Sequence, residues 1–266
     1  MVIAARLLFH NHCDDKAVYL MKISLILAGI LFTVLLTGPV LMAFSDTIQF
    51  GQDWRSANRE SAGIAPDALR HPDAIIQVYS ARAFNWRGMF AVHTWIAAKP
   101  RAARQYTVYH VVGWNLRRNL PVVVAQTDVP DRNWYGYTPE IMVDIRGPGA
   151  EPIIAAVDQA VRDYPYTHQY TLWPGPNSNT FTAYIGRQVP ALQLDLPPTA
   201  IGKDYLVNNK FISTTPSGTG FQFSLYGLFG FLFSKQEGIE VNFLTLSIGI
   251  DPFDLKLRLP GMGLTG

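Results

Sequence analysis

One serine and two histidines are the residues whose types and spacing best fit catalysis in this 266-residue chain. Ser178 lies in the run WPGPNSNTF at residues 173–181, where prolines and a glycine predict a tight turn followed by a helix. A nucleophile at a helix N-terminus lies beside free N–H groups and partial positive charge. With His93 as general base and His110 as its orienting partner, the three residues would form a Ser/His hydrolase or acyltransferase site.

The same residues also fit a protein that binds without reacting. Asn177 and Ser178 have the types of an ordinary helix N-cap, and histidines within apolar strands fit buried structural side chains. Aromatic residues near the turn would suit a cleft that stacks a sugar or an acyl ligand. The candidate binding residues are Asn177, Asn179, Trp95, Tyr170 and Trp173.

Composition argues against several other classes of function. The chain has no zinc or other metal motif, no phosphate loop and no dinucleotide fingerprint, so we expect neither a metal nor a cofactor. The chain has a single cysteine, Cys13, which precedes the apolar segment at residues 23–44. An internal disulfide is therefore excluded, and so is a thiol nucleophile in the body of the protein. A net charge of +2 with scattered basic residues gives no sign of a nucleic-acid partner.

An apolar segment at residues 23–44 is long enough to cross a bilayer, which takes about 20 residues. Arg6, Lys16 and Lys22 precede it, so the positive-inside tendency keeps the amino end cytoplasmic and exports the rest. Residues 1–22 are then a cytoplasmic end, of which residues 1–20 are an over-extended gene start if translation begins at Met21. We favour a retained single-pass anchor; the alternative is a cleaved signal and a secreted protein.

The exported part divides into a linker at residues 45–73, with a short helix near 54–61, and a single α+β domain at residues 74–266. Alternating apolar residues predict a meander of four antiparallel strands at 74–80, 89–98, 105–114 and 120–127, and a fifth strand at 140–146. Helical periodicity predicts helices over 151–164 and 177–188. Two apolar segments, 221–233 and 239–250, predict a C-terminal β-hairpin at 221–250 that packs on the core or lies on the bilayer surface.

Three stretches carry a resemblance to a known family. The run GPNSNTF, the earlier strand VHTW and the late run IGIDP resemble the domain of unknown function 3750 family over about residues 21–263. Its members are bacterial, mostly membrane-anchored proteins without an assigned activity. The resemblance implies a protein of the bacterial inner membrane with its body in the periplasm.

More distantly, residues 74–190 are similar to circularly permuted papain-like folds, such as the permuted desumoylating peptidases and the relatives of lecithin:retinol acyltransferase. In those proteins an Asn-Cys pair opens the nucleophile helix, and the catalytic histidine comes earlier, on a strand. By that match Asn177 and Ser178 stand at the nucleophile position, with serine in place of cysteine. The resemblance therefore implies the fold more than the chemistry.

Three functional hypotheses follow. The leading one is a membrane-anchored envelope protein that binds an envelope component or small ligand through a papain-like cleft. The second is the Ser/His enzyme, acting on an amide, a peptide or a lipid ester. The third is a structural interaction protein whose C-terminal hairpin docks a partner or the membrane surface.

Overall fold

The structure is a computed structural model that describes the backbone of residues 2–265 and the side chains of residues 16–264. A 42-residue helix, α1 (Val2–Ala43), begins the chain. The expected cytoplasmic end at residues 1–22 lies partly outside the described residues, because Met1 and the side chains of residues 2–15, Cys13 included, are among those not described. Within α1, the stretch Val18–Ala43 has a mean hydropathy of 2.4 and is long and apolar enough to span a membrane.

A five-stranded antiparallel sheet forms the centre of the fold. Its strands are β1 (Ile75–Arg82), β2 (Val92–Lys99), β3 (Thr107–Val111), β4 (Val123–Thr127) and β5 (Glu140–Arg146). The order β4-β3-β2-β1-β5 confirms the predicted meander of the first four strands. The fifth strand pairs with β1 and so occupies the opposite edge from β4.

Two helices cover one face of this sheet. They are α2 (Ala150–Arg162) and α3 (Ser178–Gln188), close to the predicted bounds. In α2 the apolar residues Ile154, Val157 and Val161 recur at helical spacing and are buried against the sheet. Glu151 in the first turn and Arg162 in the last both complement the helix dipole.

The linker covers the other face of the sheet and contains no helix at residues 54–61, where one was expected. Its backbone instead bonds to the loop after β4: Asn133 N donates to Glu60 O (2.8 Å), and Ala62 N donates to Asp131 O (3.0 Å). The Asp131 carboxylate also accepts from Ile64 N and Ala65 N. Within the predicted helix, Asn58 O accepts from Gly136 N (2.9 Å), so carbonyls of this segment bond to the loop after β4 and tertiary contacts override the local helical pattern.

A second sheet, of seven strands, occupies the C-terminal third. Each strand pairs antiparallel with its neighbour along the chain, from β6 at one edge to β12 at the other. The strands are β6 (Ile212–Thr214), β7 (Gly220–Leu225), β8 (Phe229–Ser234), β9 (Gly238–Phe243), β10 (Leu246–Asp251), β11 (Lys256–Leu259) and β12 (Gly263–Thr265).

The predicted apolar hairpin is therefore the middle of a larger sheet, because each of its two segments folds as two strands. The chain reverses at Tyr226-Gly227, with φ of 52° and 75°, and at Leu244-Thr245, with φ of 50° and 68°. Two consecutive residues with positive φ make the tight turn that suits a hairpin. Leucine and threonine seldom adopt it, so composition gave no signal for a turn at Leu244.

The inner face of the seven-stranded sheet is polar and carries buried charges. Glu240 of β9 accepts a hydrogen bond from Lys203 Nζ (2.6 Å) and a second from Arg258 Nε. Arg258 also holds Asp195 through two bonds, of 2.7 and 2.9 Å. Ionic groups buried this deeply require partners, and here the partners come from residues 195–204, between α3 and β6. The network ties the sheet to the rest of the protein.

Replacing Glu240 should test how strongly this network holds the fold. We expect Glu240→Ala to destabilise the protein by about 3–5 kcal/mol, since Lys203 and Arg258 would remain buried without their shared carboxylate. Thermal unfolding of the detergent-solubilised chain measures the change. The matched control is Lys256→Ala in the same sheet, which breaks an exposed pair with Asp254 and should cost far less than Glu240→Ala. Equal losses in both variants would contradict the network's role.

Candidate functional site

The polar run at residues 177–180 begins α3 with a capping box. The Asn177 side-chain oxygen accepts from Asn179 N (3.0 Å) and Thr180 N (3.1 Å), and Asn177 N donates back to the Thr180 hydroxyl (3.1 Å). This arrangement satisfies N–H groups that the first helical turn would otherwise leave unpaired. The Asn177 amide nitrogen donates to Leu172 O and Ile201 O, so both ends of the side chain have structural partners.

Asn179 joins α3 to the sheet. Its amide nitrogen donates to Val92 O (2.9 Å) and Ile201 O (2.8 Å), and its oxygen accepts from the Thr94 hydroxyl (2.9 Å). The side chain is 3% exposed and uses all of its principal hydrogen-bonding groups inside the protein. The predicted binding residues Asn177 and Asn179 thus serve as structural contacts.

Ser178 occupies the first position of α3 and is almost fully buried. Its carbonyl accepts from the Thr182 hydroxyl (3.1 Å), but its own hydroxyl has no hydrogen-bond partner among the described residues. No base therefore activates it in this structure.

His93 and His110 lie on the opposite face of the sheet from Ser178. Successive side chains of a strand point to opposite faces. Thr94 contacts Asn179 and Thr182 of α3, so His93 points away from that helix. The sheet therefore separates the predicted nucleophile from the predicted base, and the structure does not bring the trio together.

The two histidines lie next to each other, as their positions on neighbouring strands predict. Their ring centroids are 5.8 Å apart, with the planes at 73°. His110 follows Tyr109, whose hydroxyl donates to Asp158 of α2. By the same alternation His110 points away from the helices, toward His93.

Trp134 covers His93 from the loop after β4. Its ring is stacked on the imidazole, with the ring centroids 3.7 Å apart and the planes at 7°. It contacts His110 edge-on, with a centroid distance of 6.1 Å. The indole comes from a tight turn in which Trp134 and Tyr137 exchange backbone hydrogen bonds, with positive φ at Tyr135 and Gly136. This tight turn packs the Trp134 indole against the two histidines.

An exposed tryptophan lies on the solvent side of this cluster. The Trp114 ring lies 6.1 Å from Trp134 at 27°, so buried His93, Trp134 and exposed Trp114 form a series of nearly parallel rings. Tyr135 meets both tryptophans edge-on, and the Arg59 guanidinium lies 4.5 Å from the Tyr135 ring centre. We call His93, His110, Trp114, Trp134, Tyr135 and Arg59 the His–Trp cluster.

Burial keeps both histidines uncharged. It lowers the pKa of His93 well below its usual value, and the neighbouring His110 lowers it further. Burial lowers the pKa of His110 to about 4; Asp128 opposes that shift and Arg132 adds to it. Two neutral imidazoles can accept a proton or a hydrogen bond, but neither carries positive charge at pH 7.

Several buried polar atoms around the turn have no partner. Within residues 16–264 they include His93 Nε2, Arg59 Nε and Gln52 Oε1. Arg59 lies against Tyr135, His93 lies under Trp134, and Gln52 packs beside Gly136. Buried polar groups are satisfied in most proteins, so unpaired groups gathered around one turn point to an external partner such as a ligand or ordered water.

A shallow open groove of about 520 Å³ lies on the same side of the sheet. Linker residues such as Pro66 form one wall, and Tyr106 and residues 127–131 form the other. Asp67 and Asp128 bring carboxylates to it. Among residues 16–264 no three His, Cys, Asp or Glu side chains gather closely enough to hold a metal ion.

The predicted aromatic binding residues are dispersed. Trp95 is buried, stacks on Tyr79 and donates to Pro130 O (2.7 Å), so it supports the floor of the His–Trp cluster. Tyr170 packs against Gly113, where any Cβ would collide with its ring. Trp173 is exposed and donates to the Thr245 hydroxyl (2.7 Å), beside the seven-stranded sheet.

Sequence reasoning missed Trp114, Trp134 and Arg59 as site residues. The loop at 128–137 is visibly rich in aromatic residues, and that was the available signal. The position of this loop relative to the histidines depends on the tight turn and on contacts with the linker. Local sequence patterns reveal neither of these.

The fold and the site define an α+β protein with an apolar N-terminal helix and an aromatic, histidine-containing surface on its central sheet. Residues 73–205 match the model of a protein family of unknown function, DUF3750, and the chain belongs to this family. The matched residues include the five-stranded sheet, both helices that cover it and the His–Trp cluster apart from Arg59. Comparison with curated proteins and with solved structures gives no match.

Substitutions at Asn179 and Ser178 test whether the polar start of α3 stabilises the fold through Asn179 rather than through Ser178. Asn179→Ala should cost about 2–4 kcal/mol, because the Val92 and Ile201 carbonyls and the Thr94 hydroxyl would lose a buried partner. Ser178→Ala should change stability by less than about 0.5 kcal/mol, since its hydroxyl has no partner to lose. Urea unfolding of the solubilised protein compares the two, and a similar loss in both would contradict this assignment.

The buried histidines should make the fold sensitive to acid. In the unfolded chain histidine binds a proton near pH 6.5, whereas folded His110 does so only near pH 4. The unfolded state therefore binds more protons between these values, and stability falls as the pH falls through that window. We expect a loss of about 1–2 kcal/mol from His110 between pH 6.5 and 5. Melting temperatures across this range measure it.

The control for this prediction is the exposed His168. His110→Gln should flatten the pH dependence of the melting temperature, and His168→Gln shows what a histidine-to-glutamine change on the surface does by itself. An unchanged slope in His110→Gln would show that the acid sensitivity arises elsewhere.

Proposed function

We propose that this protein is a membrane-anchored binding protein of the bacterial envelope and that the His–Trp cluster is its ligand site. In this proposal α1 crosses the inner membrane once, with the basic residues before it on the cytoplasmic side and the body in the periplasm. The observation that carries the binding role is the group of unpaired buried polar atoms, His93 Nε2 among them, around the turn that holds Trp134.

The ligand chemistry that fits this surface is a sugar ring of an envelope glycan. Trp114 is 47% exposed and offers a flat aromatic face of the kind that sugars stack on. Arg59, whose guanidinium lies over the Tyr135 ring, has an unpaired Nε–H and would donate to a hydroxyl or carboxylate. Neutral His93 would complete the site as a hydrogen-bonding group below Trp134, reached when the indole shifts.

The hydrolase alternative receives less support. Its nucleophile and base would have to meet through the sheet, and Asn177 and Asn179 are already fully engaged in holding α3. His93 would contact a ligand on the aromatic face once Trp134 shifts, whereas neither histidine reaches Ser178 across the sheet.

Binding of a soluble peptidoglycan fragment by the solubilised full-length protein tests the proposal. Trp114→Ala should weaken binding about tenfold, the effect of losing about 1.4 kcal/mol of aromatic stacking. The matched control is Trp86→Ala, because Trp86 is 52% exposed but contacts Phe90 rather than the cluster. Titration calorimetry measures both variants, and the control should bind like the unmodified protein.

Three results would contradict the proposal. The first is a failure of the intact protein to bind any glycan fragment, and the second is an equal loss of affinity in both tryptophan variants. The third is covalent labelling by a fluorophosphonate that disappears in Ser178→Ala, which would favour the hydrolase.

A further inference from the structure

The seven-stranded sheet is turned inside out compared with a sheet in an ordinary soluble domain. Side chains that face the protein interior are mostly polar, such as Gln222, Glu240 and Asn242 at 2–3% exposure, with Leu232 as an apolar exception. Those that face outward are apolar. One outward row crosses five strands, with paired residues Phe221, Phe233, Ile239, Ile250 and Leu257.

Two further rows extend the same face. Phe223, Phe231, Val241 and Ile248 form the second, and Leu225, Phe229, Phe243 and Leu246 form the third. No polar or charged side chain interrupts these rows between β7 and β10. A continuous apolar surface of this extent on a soluble protein marks a contact with another apolar body.

Helix α1 meets this face at one end. Phe32 contacts Phe243 edge-on with ring centres 6.4 Å apart. Farther along, Gly38 and Pro39 pack closely against the turn at Pro260 and Gly261, where added side-chain atoms would collide with backbone. The outward face of the sheet is thus continuous with the apolar surface of the helix.

The contact between Phe32 and Phe243 shows how deep in the bilayer the sheet would lie. Phe32 comes 11 residues before Ala43, the last residue of the apolar stretch. At about 1.5 Å per residue, the contact with Phe243 lies roughly 16 Å along the helix from that end. When α1 spans a hydrocarbon layer of about 30 Å, this point is well inside the layer.

We infer that the outward face of the seven-stranded sheet is a lipid-binding surface that lies among the acyl chains beside α1. Strands β7 to β11 have neighbours on both sides, so their backbone groups are paired within the sheet and need no water. The charged inner face remains turned toward the body of the protein, where Glu240, Lys203 and Arg258 satisfy one another. The two edge strands, β6 and β12, are only three residues long each.

This inference rests on the proposed membrane anchoring and adds a second, β-sheet contact with the bilayer. Accessibility of a nitroxide spin label tests it in the full-length chain reconstituted into phosphatidylglycerol and phosphatidylethanolamine vesicles. Labels attach to single cysteines in a Cys13→Ser background, at Val241→Cys on the outward face, Leu27→Cys in α1 and His168→Cys on the exposed loop. Phe231→Cys is a second outward position should Val241→Cys fold poorly.

The label at position 241 should collide frequently with oxygen, which concentrates in the hydrocarbon, and rarely with a water-soluble nickel chelate. Its ratio of the two accessibilities should match that at position 27 and exceed that at position 168 several-fold. A water-like ratio at 241 with a lipid-like ratio at 27 would overturn the sheet contact while leaving the anchor intact. A water-like ratio at 27 would overturn the anchor itself.

A second copy of the chain is the competing occupant of this face. It would shield the label at 241 from both reagents and broaden its spectrum through spin–spin coupling between copies. Dilution with unlabelled protein would relieve that broadening, and this outcome also would overturn the inference.

Discussion

The side chain of Asn179 is the contact on which the rest of the structure depends. It joins the carbonyl of Val92 in β2 to the carbonyl of Ile201 and so holds the central sheet, α3 and the following loop together. One residue later the Thr180 hydroxyl donates to Gly202 O (2.8 Å). Gly202, with φ of +100°, lies so close to Asn177 that a Cβ would collide with it.

The same loop begins the attachment of the second sheet. Lys203 and Asp204 follow Gly202 directly, and they bond to Glu240 of β9 and to Gln222 of β7. A few residues on each side of Gly202 therefore connect the two sheets. The conspicuous Asn-Ser-Asn-Thr run is better explained by this joint than by chemistry at Ser178. The side chains of Asn177, Asn179 and Thr180 are engaged in the protein's own hydrogen bonds, whereas the Ser178 hydroxyl has no partner among the described residues.

Much of the fold follows from local patterns, but the site depends on contacts between distant residues. Period-two alternation located all five strands of the first sheet and brought His93 beside His110. It could not say which face α3 would cover, and that choice separates Ser178 from the histidines. Trp134 reaches the two histidines through a turn with positive φ at Tyr135. Tyrosine seldom adopts positive φ, so its presence does not predict such a turn.

In the C-terminal sheet, too, local patterns locate the strands but do not say which face is buried. Alternation in segments such as FQFSL and IEVNF identifies strands, yet it does not say which alternate set faces inward. Hydrophobic burial alone would place the phenylalanines inside. Here Lys203 and Arg258 pair with Glu240, and Asp195 pairs with Arg258, which makes a polar interior stable and leaves the apolar set outside. An apolar outer face is costly in water and favourable in lipid, so the inverted sheet and the long apolar helix beside it have one physical explanation in common.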